Sequence, residues 1–197
     1  MAFQSPHAAR IAALLQKLSV VRKQQARRRK DPDLEHDYTL SPPLQMRSVV
    51  QFERRHGVEL PEEFRHFLLV AGRGGAGPGF GLMTPSSSVR RNRKLQPAAP
   101  FPFSTAQAMK VGAERLIAKN KSAMLDGWTQ PGTLTLTSHG CGWENAIVLS
   151  GPQRGFVWYG GDGWWPEGHV AGRGKSQRFV QLGFLDWYED WLDASIR

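Results

Sequence analysis

His139 and the chain's one cysteine stand two residues apart in His139-Gly-Cys-Gly142, the pairing from which a thiolate and imidazolium nucleophile can be built. Such a pair needs both side chains on one side of a continuing strand. Gly140 and Gly142 favour a turn instead, so Cys141 is expected to be a small buried residue. The other histidines, His7, His36, His56, His66 and His169, are scattered. None forms an H-x-x-x-H pair or a cysteine and histidine set with zinc spacing, so no metal and no cofactor is expected. Ser86 to Ser88 lack the G-x-S-x-G elbow that exposes a hydrolase serine. Two glycine runs imitate phosphate-binding motifs. Gly72, Gly74 and Gly77 spell G-x-G-x-x-G, but a dinucleotide site needs a strand before the glycines and a helix after them, and here a helix precedes and Pro78 follows. Gly174-Lys-Ser176 resembles the end of a phosphate loop, yet His169 stands where that loop needs its first glycine. The chain is therefore not expected to be an enzyme.

Charge offers a second route to function. The 26 basic and 17 acidic residues leave a net charge of +9. Eight of the bases fall in residues 1–30, where there is no acid, so the remainder of the chain is close to neutral. A second basic cluster comprises Arg90, Arg91, Arg93 and Lys94. These runs raise an alternative function, in which Arg27, Arg28, Arg29, Arg90, Arg91 and Arg93 contact nucleic-acid phosphates. Neither run carries an interleaved aromatic residue that could stack on bases. An Arg-rich, acid-poor start also fits a targeting presequence, but a helix docked on the body with a solvated basic end is the favoured reading. One cysteine excludes an intramolecular disulfide, and no apolar run suits a membrane span or a secretory segment, so the expected location is cytoplasmic.

The elements that would position any site follow from periodicity. Ser5-Pro6 caps an amphipathic helix bearing Ile11, Leu14, Leu15, Leu18 and Val21. A second helix is expected from Ser41-Pro42 to about His56, closed by Gly57. A third opens at Pro61, with Glu62 and Glu63 beside the positive end of its dipole and Phe64, Phe67, Leu68 and Ala71 as one stripe, and ends at a left-handed Gly72. The glycines from 74 to 81 then imply tight packing. Residues 84–104 read as a surface loop, and a helical segment from about Thr105 to Ala118 follows. Thr133 to Ser138, Asn145 to Leu149 and Gly155 to Tyr159 read as three strands of one antiparallel sheet. Residues 160–176 read as an irregular loop with paired tryptophans, and a last helix is expected from about Phe179 to Ile196. Its acidic residues, Asp186, Glu189, Asp190 and Asp193, are expected to be solvated, or else to hold the basic N-terminal segment or a basic partner.

Three pieces in order carry a resemblance: Leu60-Pro-Glu-Glu-Phe-Arg-His-Phe-Leu68 with Gly74-Gly-Ala-Gly-Pro78 and Gly81-Leu82; Gly132-Thr-Leu-Thr-Leu136 with His139-Gly-Cys-Gly142 and Gly151-Pro152, Gly155, Val157-Trp158; and Phe184-Leu-Asp-Trp-Tyr-Glu-Asp-Trp-Leu192. Together they resemble the SUKH superfamily, which includes yeast regulators of cell-wall synthesis and bacterial toxin-immunity proteins. The resemblance implies a single α+β domain over residues 41–197, an antiparallel or mixed sheet flanked by helices, without catalytic residues. Residues 1–40 would form a basic helical extension and acidic linker. It also implies a protein-binding module, an immunity protein that neutralises a toxin domain, with interaction scaffolds as the eukaryotic counterpart. The chain is expected to be a monomer or weak dimer without membrane contact. Trp, Tyr and Arg are favoured interface anchors, so Tyr159, Trp164, Trp165 and Arg173 are the candidate partner-binding residues.

Overall fold

The first helix forms because one side of residues 8–25 is apolar at helical spacing. In the computed structural model, which describes residues 6–26, 36–91, 95–106, 130–161, 163–173 and 176–196, α1 (Ala8–Gln25) buries Ile11, Leu14, Leu18 and Val21. Its cap position is His7, one residue beyond Pro6. Helix α2 (Met46–His56) starts later than the Ser41-Pro42 pair suggests. Pro43 pushes the residue before it into extended conformation, and residues 39–44 instead bond to the glycine segment and to the helix that precedes it, with Ser41 N–H donating to Gly74 O and Leu44 N–H to Leu68 O, both at 2.8 Å. Gly57 closes α2 in the left-handed region at φ 63°.

Helix α3 (Glu62–Val70) uses Pro61 as its extended cap, with Glu62 and Glu63 in its first turn as expected. Gly72 does not take a left-handed conformation to end it. The position is needed for close approach, since a Cβ there would lie 2.6 Å from the Ser41 carbonyl oxygen. A further helix, α4 (Pro85–Arg91), occupies the expected loop. Its start carries a recognisable signal: the Thr84 hydroxyl accepts the Ser87 N–H at 3.0 Å, and Pro85 fills the first position. The helical segment expected from Thr105 lies outside the described residues beyond Ala106.

The period then changes to two. Strands β1 (Thr133–Gly140), β2 (Trp143–Val148), β3 (Val157–Gly160) and β4 (Trp164–Pro166) form one antiparallel sheet in that order. A second, two-stranded sheet pairs β5 (Gly168–Ala171) with β6 (Arg178–Gln181). Residues 160–176 are thus not an irregular loop. Tyr159 faces Trp165 and Gly160 faces Trp164 across the β3–β4 pair, and these cross-strand partners make a strand of a glycine-flanked stretch. The pairing of Val170 with Phe179 and of Ala171 with Arg178 likewise takes residues 178–181 from the last helix, so α5 begins later, at Phe184–Ile196.

Helices α1, α3 and α5 pack on one face of the larger sheet, where Leu134, Leu136, Ile147 and Val157 meet Leu14, Phe67, Phe184 and Tyr188 in one buried cluster. Alternation sends Ala146, Val148, Trp158 and Trp164 to the opposite face, against Phe101 and Phe103. The architecture is a single α+β domain. Helix α1 belongs to its core, so packing does not break at residue 40. The acidic side of α5 holds the basic side of α1: Lys17 Nζ lies 2.7 Å from both Glu189 and Asp193, and Arg10 pairs with Asp186 and Glu189. No helix among the described residues is long and apolar enough to cross a membrane.

Candidate interaction surface

Strand alternation also decides which aromatic rings remain uncovered. Trp143, Asn145 and Ile147 share one face of β2, and Val157 and Tyr159 share that face of β3. Toward Ile147 and Val157 this face is core. Toward the β1–β2 hairpin it carries three nearly parallel rings, with Trp143 in the middle. Its centroid lies 5.4 Å from Tyr159 at an interplanar angle of 14° and 6.3 Å from Trp165 at 21°. Trp143 and Tyr159 are half-buried, and Trp165 is 36% exposed. The adjoining glycines make room for this arrangement. A Cβ on Gly161 would overlap the Trp143 ring, and one on Gly160 would overlap Trp164 on the other face.

A polar chain borders the rings. His139 stands edge-on to Tyr159 at 5.5 Å, and its Nε2 lies 2.6 Å from Asn145 Oδ1. The Asn145 amide donates in turn to Glu167 Oε1 at 2.6 Å. Burial raises the Glu167 carboxyl above its ordinary pKa, with the Asn145 hydrogen bond and nearby His139 acting against the rise. The hairpin tip is Cys141-Gly142, with φ of 48° and 82°, the positive pair that a tight two-residue turn requires. Cys141 is exposed there, not buried, because the turn carries it away from the sheet. His139 engages Asn145 and not the thiol. The glycine segment closes on the same hairpin: Phe80 N–H donates to Ser138 O at 2.9 Å, and the Phe80 ring, 40% exposed, lies over Gly140.

The structure brings Tyr159 and Trp165 together and separates them from the other two candidates. Trp164 is fully buried beside Trp158 and Phe103, so it cannot touch a partner. It is the next residue along the strand from Trp165 and points the opposite way. Arg173 is exposed in the turn between β5 and β6, where its carbonyl accepts the Ser176 hydroxyl at 2.7 Å. Sequence reasoning missed Trp143 and Phe80. Trp143 had a visible signal, since it follows the hairpin glycines at the position that alternates with Asn145 and Ile147. Phe80 had none, because only the folding of the glycine segment onto β1 brings it here.

Of the basic candidates, Arg90 and Arg91 close α4, where Arg91 donates to the Ser138 hydroxyl at 3.1 Å. Arg27, Arg28, Arg29 and Arg93 lie outside the described residues. On the covered face of the sheet, Glu144 is buried and accepts a hydrogen bond from the Thr135 hydroxyl at 3.1 Å. Its burial pushes the carboxyl pKa up to about 7, against the pull of that hydroxyl and of Arg91. His7, Glu62 and His66 meet elsewhere, with a ligand atom from each within 4.8 Å of the others. No protein-family model matches the chain, and no curated protein matches it either.

Proposed function

We propose that the chain is a non-catalytic protein-binding module of the SUKH type, an immunity protein that neutralises a toxin domain by contact through Trp143, Tyr159 and Trp165. The observation that carries this reading is the stacked, partly uncovered aromatic set on an otherwise buried sheet. Rings held parallel by neighbours lose little side-chain freedom on binding, and large aromatic residues are the usual interface anchors. The polar border of His139, Asn145 and Glu167 supplies hydrogen-bonding groups around an apolar centre, the pattern of a protein interface. The competing reading, nucleic-acid binding through the basic residues, has less support among the described residues. Arg10 and Lys17 are paired with acids of α5.

Purification of the chain from its own host, with nuclease treatment and at two salt concentrations, tests the choice. A stoichiometric protein that survives both treatments, is lost with Trp165→Ala, and stops growth unless the wild-type chain is co-expressed would support the immunity reading. Nucleic acid that salt strips away would transfer the function to the basic segments.

A further inference from the structure

We infer that His7, Glu62 and His66 form a site for a divalent transition-metal cation, Zn²⁺ foremost, that pins the start of α1 to α3. Glu62 and His66 are four residues apart on α3, and that spacing puts two side chains on the same helical face. Docking of α1 brings its cap residue, His7, onto that face. His7 Nε2 lies 3.9 Å from Glu62 Oε2, and one donor atom from each of the three residues lies within 4.8 Å of the other two. The rings of His7 and His66 are tilted by 50° at a centroid separation of 5.4 Å, so they converge rather than stack face to face. Zinc bonds of about 2.0–2.2 Å set tetrahedral donors roughly 3.3–3.5 Å apart. Closing to that spacing requires side-chain movements on the order of 1 Å, which the Glu62 carboxylate, 64% exposed, is placed to supply.

The donor set selects the ion. Two imidazoles and a carboxylate suit zinc and its neighbours, whereas magnesium and calcium prefer oxygen alone and copper(I) prefers thiolate. Neighbouring cations do not compete strongly for the carboxylate. Arg65 is bonded to Glu53 at 3.0 Å, and Arg10 is turned to Glu63, Asp186 and Glu189. His66 is buried beside His7, so the α3 side of the site is shielded from solvent. An entry path exists, because His7 and Glu62 line a surface pocket of about 320 Å³ together with Arg154, Gln181 and Asp186. Three protein ligands would leave a fourth position for water. The site shares no residue with the aromatic surface and does not depend on the immunity reading.

The test is equilibrium dialysis of the full-length, tag-free chain, first stripped with chelator, against ZnCl₂ or MgCl₂, with metal measured per chain and thermal unfolding followed in parallel. The expected result is one Zn²⁺ and no Mg²⁺ per chain, with unfolding shifted upward by zinc. Glu62→Gln, at an exposed side chain, and His7→Ala, at a largely buried one, should each weaken zinc at least tenfold and abolish the shift. His169→Ala, at an exposed residue of β5, should change neither. Absence of stoichiometric zinc would overturn the inference. So would unchanged zinc affinity in His7→Ala and Glu62→Gln, or an equal loss in His169→Ala.

Discussion

Trp164 and Trp165 adjoin in the chain, yet β4 sends the first into a buried cluster with Trp158 and Phe103 and the second onto the open end of the opposite face, beside Trp143. Both faces of this small sheet are thus built from aromatic rings on the same strands, and each has a glycine at which an indole lies against the backbone. What separates the core from the uncovered rings is one residue of strand register. The most direct way to break that contrast is Trp164→Ala. Emptying a fully buried indole should cost about 3–5 kcal/mol, the usual range for a large aromatic truncated in a core. Denaturant unfolding measures it, and a loss below about 1 kcal/mol would mean that the ring does not fill the cluster.

The covered face holds a buried carboxyl, Glu144, as the border of the open face holds Glu167. Glu144 keeps its proton in the folded chain up to about pH 7, while the ordinary carboxyl value is 4.5. Below that lower value both states are protonated and the folded state carries no penalty. As pH rises toward 7 the unfolded chain ionises first, so stability falls across this window, by roughly 3 kcal/mol at most. Glu144→Gln should remove that fall and leave the variant more stable than the wild type at pH 7.5. Stability curves at pH 5 and 7.5 decide it. If wild type and variant keep the same difference at both, the carboxyl is not held neutral.

On the open face the expected effect moves from folding to binding. Trp165→Ala should change stability by less than about 1 kcal/mol and weaken the partner about thirtyfold, on the order of 2 kcal/mol, as truncation of an interface anchor does. Titration of the co-purified partner measures it. Unchanged affinity with reduced stability would return Trp165 to the core and remove the functional contrast between the two tryptophans.

Period-two patterns in residues 133–159, the stripe from Phe64 to Leu68 and the helix end at Gly57 could all be read along the chain, because each is local. What could not be read was decided by distant segments. The stretch from Trp164 to Ala171 becomes strands only when Tyr159, Gly160 and the residues from Arg178 to Gln181 arrive to pair with it. The acidic side of α5 was read as either solvated or a dock, and the choice rests with Arg10 and Lys17, more than 170 residues away. Tyr159, Trp164 and Trp165 were visible as interface anchors by residue type. Which of them faced out was not, since a hidden strand has no register to count from. Sequence spacing could not reveal His7 beside Glu62 and His66 either, because only the docking of α1 joins them.

The smallest effect is the most specific one. If Trp143 and Tyr159 were merely neighbours on an uncovered sheet, truncating each would cost only its own buried area and the two losses would add. The rings are stacked at 14°, and such pairs contribute about 0.5–1.5 kcal/mol beyond burial. Trp143→Ala, Tyr159→Ala and the double variant therefore form a cycle whose coupling energy in unfolding should fall in that range. The same cycle run on partner affinity should show coupling of the same sign, because each ring orients the other toward the partner. Additive losses in both cycles would leave the three rings as separate exposed residues without a preorganised surface.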